Sequence, residues 1–224
     1  MKRDRRHGAS IAVRLQHLDE AIDLARGRAS DEVVDAADAL VDRAGHRLSI
    51  AGDHTVVALA GATGSGKSST FNAVTGTQLA RTGVTRPTTS EAMSVSWGTE
   101  QPVELLDWLG VPERAERAED GSGLVLVDLP DIDSTAARHR EIANRMSEAV
   151  DVLVWVLDPQ KYADAVVHQQ FLRPLAANAD VTLVVLNQVD RLEASTRREV
   201  LADLTNLLAR DGLGGVPLLA TSAR

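Results

Sequence analysis

The chain has 224 residues, a formal net charge of −8, 44% hydrophobic residues, 25% charged residues and no cysteine. That is room for one full α/β domain plus a small appendage, in the composition of a soluble globular protein. The acidic balance argues against general binding of nucleic acid or anionic lipid, the lack of cysteine excludes a disulfide frame and a thiolate metal site, and no run of about 18 apolar residues is present to span a bilayer.

The start, Met1 to His7, is basic but is followed by no apolar stretch, so it reads as a solvated tail rather than a signal peptide. Ile11, Leu15, Leu18, Ile22 and Ala25 then mark one face of a helix. Gly27 and Ser30 mark a break, with Ser30 placed to cap the next helix and Asp31 and Glu32 complementing its dipole. Val34, Ala37, Val41, Ala44 and Leu48 form a second stripe, and Gly52-Asp53 ends the segment. The expectation is a helical hairpin over 1–52 and a second domain over 53–224.

From residue 55 the period changes. Apolar runs at 55–60, 92–97, 124–127, 152–157, 182–186 and 217–220 alternate with helical stretches near 68–76, 136–149, 163–177 and 194–210. Four of the runs are nearly continuous in Val, Leu and Ala, as in strands buried on both faces. The alternation predicts a doubly wound, mostly parallel α/β sheet, with ligands at the carboxyl ends of its strands. Residues 98–123 read as a short helix followed by a polar connection.

The segment Gly61-Ala-Thr-Gly-Ser-Gly-Lys-Ser68 fits GxxxxGK(S/T) directly after a strand and before a helix. In such a loop, the phosphate cradle is formed by the backbone of Gly61, Thr63, Gly64, Ser65 and Gly66, with Lys67, Ser68 and Ser69 at the helix start. Lys67 is placed for the β- and γ-phosphates, and the Ser68 hydroxyl for Mg²⁺. Asp128, opening Asp128-Leu-Pro-Asp131 at the end of a buried strand, is placed to hold a metal-bound water. In Asn187-Gln-Val-Asp190, at the end of the next buried run but one, the Asp190 carboxylate can accept from the N1–H and 2-amino group of guanine, a donor pair adenine lacks. Thr221-Ser-Ala223 follows the last run, where the backbone of Ser222 and Ala223 can meet the guanine O6.

These motifs, in this order at strand ends, resemble the P-loop GTPases of the Ras-like superclass over residues 55–223. The resemblance implies a GTP/GDP-dependent switch domain with Mg²⁺ as cofactor, and a Thr in the loop before the second strand that reaches the metal. Pro87-Thr88-Thr89 resembles the Era-like and YfjP-like bacterial GTPases and favours Thr88 or Thr89 for that role. Gly83-Val-Thr-Arg86 resembles dynamin-like proteins and would select Thr85. Asp128 to Ser134, Trp155 to Asp164 and Leu186 to Leu192 together resemble actinobacterial YfjP-like GTPases.

Three positions depart from the pattern: Asp131 replaces a glycine, Ile132 a water-orienting glutamine and Gln188 a lysine. An aspartate at 131 brings negative charge towards phosphate unless it turns away or finds a cation. Isoleucine cannot hydrogen-bond a water, so slow intrinsic hydrolysis is expected, stimulated by a homodimer or an activator that the sequence does not identify. Gln188 is shorter and neutral, which predicts weaker nucleotide binding. The alternative reading is a nucleotide-gated binding or scaffold module with negligible hydrolysis. His54, His139 and His168 show no metal-ligand spacing, and Asp131, Asp133 and Asp158 read as loop residues rather than an acid/base pair. Lys161 and Tyr162 gain no chemical role from the sequence. The chain stops at Arg224, directly after the fifth motif, so a continuing chain is expected, with any membrane association residing in that further part. A cytoplasmic location is expected otherwise, and nucleic acid is not an expected partner.

Overall fold

The computed structural model describes residues 11–51, 54–80, 91–98, 101–117, 123–131 and 150–223. The expected helix at 136–149, the candidates Thr85, Thr88 and Thr89, and Ile132, Asp133 and His139 lie outside them. The chain forms two compact units, Met1–Asp53 and His54–Arg224.

In the first unit, α1 (Ile11–Ala25) and α2 (Asp31–Ala51) pack on each other. Gly27 adopts a positive φ of 72° in the turn between them, and the Ser30 carbonyl accepts from the amides of Val33 and Val34. Ile22 and Val34, one from each predicted stripe, are buried, whereas Ile11 and Leu48 at the stripe ends are exposed. Arg26 grips both carboxylate oxygens of Asp38 at 3.0 and 2.8 Å. That pair is on the surface, so it orients the helices more than it stabilises them.

The second unit is a seven-stranded sheet in the order β3-β2-β4-β1-β5-β6-β7. The strands are β1 (Thr55–Ala60), β2 (Met93–Trp97), β3 (Glu113–Arg117), β4 (Leu124–Asp128), β5 (Val152–Leu157), β6 (Thr182–Leu186) and β7 (Leu218–Ala220). All pairings are parallel except β2 with β4. The chain leaves β1 for the β4 side and later returns to the other side at β5. The centre of the sheet is therefore a topological switch point. Because β2 runs against β4, it enters the sheet at Met93 opposite Asp128, on the edge where the parallel strands end.

The helix α3 (Lys67–Thr75) follows β1. It closes on Gly76, whose left-handed backbone returns its amide to the Asn72 carbonyl. Its Phe71 is fully buried against Leu59, Val95, Leu126, Val156 and Val185, which seats the helix on the sheet. Asn72 fastens the following loop by exchanging two hydrogen bonds with the backbone of Ala80, at 2.8 and 2.9 Å.

Two regions differ from expectation. Residues after α4 (Val103–Leu109), read as a polar connection, include the edge strand β3. Its sequence Glu-Arg-Ala-Glu-Arg lacks apolar alternation because one side of the strand is unpaired, where charged side chains are favoured. The expected helix at 163–177 is broken. Asp164 caps one α-turn, α5 (Ala165–Val167), through the amide of Val166 at 2.8 Å, and a π-turn (His168–Leu172) and a 3₁₀ segment (Arg173–Val181) follow. Pro174, lacking an amide proton, cannot continue α-helical bonding there. By contrast α6 (Ala194–Arg210) spans the expected residues.

The π-turn aims His168 inward. Its Nδ1 pairs with Asp211 Oδ2, its Nε2 meets the Tyr162 carbonyl at 2.7 Å, and Arg173 donates to Asp211 Oδ1 at 2.7 Å. Burial alone would raise the Asp211 carboxyl, but the hydrogen bonds and charges of Arg173 and His168 outweigh it and hold it below the usual carboxylate value. A carboxylate with a depressed folded-state pKa contributes stability above its unfolded value, near 3.8, and loses that contribution as pH falls through the lower folded value. Asp211→Asn should therefore cost about 1–3 kcal/mol at pH 7. In urea titrations across pH, the difference from wild type should hold down to about pH 4 and shrink only below it.

Candidate nucleotide-binding site

The parallel strands deliver their carboxyl ends to one edge of the sheet, and each recognised motif follows one of them. β1 leads into Gly61–Ser68, β4 ends on Asp128, β6 leads into Asn187 and β7 into Thr221–Ala223.

The glycines of the first loop are there for space as well as conformation. Gly61 has φ 151° and a side chain there would strike the Val156 carbonyl; Gly66 has φ 90° and a side chain there would strike Asn187 Nδ2. Gly66 is also the residue from which α3 starts, so the backbone of Ser65 to Ser68 meets the helix N-terminus. Thr63 is half-buried, Ser65 buried, and Ser68 and Ser69 half-buried on the first turn of α3.

Asn187 links the loops. Its amide donates to the Leu157 carbonyl at 2.8 Å, its Nδ2 to the Ser65 carbonyl at 3.1 Å, and its Oδ1 accepts from the Ala223 amide at 3.2 Å. Gln188 takes a left-handed backbone, φ 60°, and its Nε2 donates to the Gly64 carbonyl at 2.9 Å. The Gln188 side chain thus ties this loop to the P-loop. Asp190 is exposed at the rim, where its Oδ1 accepts from the Ser222 hydroxyl at 2.7 Å.

Charge is concentrated at the start of α3. The Ser68 hydroxyl donates to Asp128 Oδ2 at 2.8 Å, and Lys67 pairs with Asp131 Oδ1. Burial pushes the Asp128 carboxyl up to about 6; Lys67 and Ser68 oppose the rise and Asp131 adds to it. Ser65 Oγ, Asp128 Oδ1 and Asp131 Oδ2 are buried without a hydrogen-bond partner among the described residues. Orphaned acceptors beside a serine hydroxyl suit a hydrated divalent cation that also takes phosphate oxygens. No cluster of three or more His, Cys, Asp or Glu side chains able to cage a metal exists among the described residues. Such a cation would therefore depend on Ser68, Asp128, water and a ligand.

One contact escaped the sequence. The turn after β5 is held by Asp158, whose Oδ1 accepts from the Gln160 amide at 2.9 Å, and Lys161 from this turn donates to the Thr63 carbonyl in the P-loop at 3.0 Å. The two residues are 98 apart in sequence. Only the position of Lys161 directly after a buried strand could have suggested the meeting.

A P-loop between the first strand and helix of a mostly parallel sheet, facing an Asp at the end of β4, defines the class as P-loop nucleotide-binding proteins. The 50S ribosome-binding GTPase family matches residues 56–188, more than half of the chain, and the chain belongs to that family. No curated protein sequence matches significantly. Among solved structures, a protein of an oligomerised bacterial dynamin pair described as sensing and tethering membranes aligns at 15% identity and TM-score 0.54, over 95% of this chain and 45% of its own. Toc33 from Arabidopsis thaliana with GDP and Mg²⁺ aligns at 17% and 0.55, over 84% and 78%. Era in complex with MgGDPNP and a segment of 16S ribosomal RNA aligns at 21% and 0.52, over 75% and 51%. At these identities the likenesses bear on the fold alone. The chain spans about half the length of the bacterial dynamin and Era chains.

The Gly66–Asn187 contact yields a prediction. Gly66→Ala should combine backbone strain with loss of the Asn187 link, costing about 2 kcal/mol or more and abolishing nucleotide binding. Gly64→Ala shares a positive φ but meets open space, so it should show strain without the clash. Thermal melts and fluorescent-GDP titrations of the two variants check this; equal effects would mean the clash has no consequence.

Proposed function

We propose that the chain binds GTP and GDP with Mg²⁺ and hydrolyses GTP to GDP and phosphate, slowly when unaided. The observation that carries this reading is the Asn187 side chain, which ties the P-loop to the loop at Ala223 and so brings the phosphate and base motifs to one place.

In this reading the amides of Gly64, Ser65 and Gly66 and the Lys67 ammonium hold the β- and γ-phosphates. Ser68, with Thr88 or Thr89, would hold the metal, and Asp128 would act on it through water. When bound, Mg²⁺ would supply neutralisation of phosphate charge. Water attacks the γ-phosphorus in line, the bond from it to the β–γ bridging oxygen breaks, and Lys67 and the loop amides offset the charge that gathers on that oxygen. Asp190 reads the guanine edge, with Ser222 holding its carboxylate in place. The short side chains of Ser222 and Ala223 leave room for the base.

Ile132 supplies no hydrogen bond to the attacking water, which is the ground for proposing slow turnover and a homodimer or separate activator. A structural neighbour of this chain is described under the statement that dimerization is important for the GTPase activity of the chloroplast translocon components atToc33 and psToc159. The Pro87-Thr88-Thr89 tract and the segments Asp128 to Ser134, Trp155 to Asp164 and Leu186 to Leu192 are the grounds for proposing a YfjP-like GTPase, and a cytoplasmic location is part of the proposal. The second reading, a nucleotide-gated binding module with negligible hydrolysis, is favoured by the pairing of Lys67 with Asp131. Single-turnover phosphate release, measured across protein concentrations, decides between them. Turnover that rises with concentration supports a dimer-assisted GTPase, and none at any concentration supports the module.

Asp190→Asn replaces an acceptor with a donor opposite the guanine 2-amino group. Competition titrations should show preference moving from GDP towards XDP by about tenfold or more, with thermal stability unchanged. An unaltered preference would refute the role of Asp190.

A further inference from the structure

Asp131 stands where related GTPases place a glycine, and its carboxylate engages the lysine on which phosphate binding depends. Lys67 and Asp131 are each 3% exposed, and Asp131 Oδ1 pairs with the Lys67 ammonium. Its other oxygen, Oδ2, is buried with no hydrogen-bond partner among the described residues. Lys67 itself is confined: it is the first residue of α3, follows a glycine that cannot gain a side chain without striking Asn187, and is enclosed by the start of the helix and the end of β4.

A carboxylate on that ammonium offers negative charge and acceptor oxygens of the kind a terminal phosphate offers, though fewer of each. A nucleoside diphosphate in the P-loop brings its β-phosphate to Lys67 and leaves the pair with Asp131 intact. A triphosphate brings one more phosphate to the same cation. Asp131 must then leave a buried pair, or two anions must share one ammonium in a site where water screens poorly. Sharing the ammonium with a β-phosphate is common to both nucleotides; the extra cost of the γ-phosphate falls on the triphosphate.

We propose that Asp131 is a specificity-determining residue: its carboxylate holds the place of the terminal phosphate on Lys67, so the site prefers a nucleoside diphosphate to a triphosphate. This rests on the reading of the site as one for guanine nucleotides. It makes the product-bound form the resting form of the protein, and any factor that draws Asp131 off Lys67 would favour the triphosphate.

The test is calorimetric titration of the protein, with Mg²⁺ present, by GDP and by a non-hydrolysable GTP analogue. Wild type should bind GDP about tenfold or more tightly than the analogue. Asp131→Asn and Asp131→Gly should bring the two affinities to within about threefold, chiefly by tightening the analogue. Equal affinities in wild type, tighter binding of the analogue, or an undiminished gap in both variants would overturn the proposal. A thermal melt accompanies each variant. If one fails to unfold cooperatively the other is used, and if both fail the wild-type ratio decides. Failure of wild type to bind either nucleotide would sink the reading of the site itself, whereas equal binding of both sinks only the role of Asp131.

Discussion

Asn187 hydrogen-bonds in three directions at once: to β5 through its amide, to the P-loop through Nδ2, and to the loop after β7 through Oδ1. The bond to Leu157 at the end of β5 comes from the main chain, so the buried side chain itself ties two loops together, the P-loop and the loop after β7. The glycine at 66 follows from this, because the amide group of Asn187 occupies the space a Cβ would need. Gln188 extends the tie by one more bond, to Gly64. The P-loop and the loop after β7 are consequently held together through one residue.

The electrostatics of the edge have a different character from its mechanics. Two buried carboxylates flank one buried ammonium, and the three groups do not neutralise each other. Asp128 is left with an unpartnered oxygen and a carboxyl pushed up to about 6, while Asp131 takes the ammonium. A core assembled for stability alone would not keep such acceptors, since each costs about 1–3 kcal/mol when unsatisfied. Three of them, on Ser65, Asp128 and Asp131, are grouped around the first turn of α3. Lys161, reaching the Thr63 carbonyl from the turn after β5, adds a second positive charge beside the same loop.

Most of the central sheet is legible in the sequence because burial on both faces leaves a physical trace. The runs at 55–60, 152–157 and 182–186 are nearly continuous in apolar residues and correspond to β1, β5 and β6. The trace fades where burial is one-sided. Edge strand β3 carries Glu113, Arg114, Glu116 and Arg117 and reads as a loop. The segment after β5 has helical periodicity, but Pro174 and the inward pull of the Asp211 pair on His168 convert it into π and 3₁₀ turns. At the site, the motifs announce themselves through spacing, whereas their contacts do not. Ser65 and Asn187 are 122 residues apart, and only the parallel order of β1, β5 and β6 brings them together. The sequence marks Asp131 as out of place; that its charge is answered by Lys67 depends on the chain folding β4 next to β1.

The two outer strands of the sheet are unlike its centre, and this bears on how the domain behaves in a crowd. On one side β3 carries two acidic and two basic residues about Ala115, and on the other β7 has three residues, of which Leu219 and Ala220 are exposed. A strand from another molecule would find a charged ledge at the first and a ledge about one turn of chain long at the second. Charge at one edge and short length at the other are both features that disfavour pairing with a further strand.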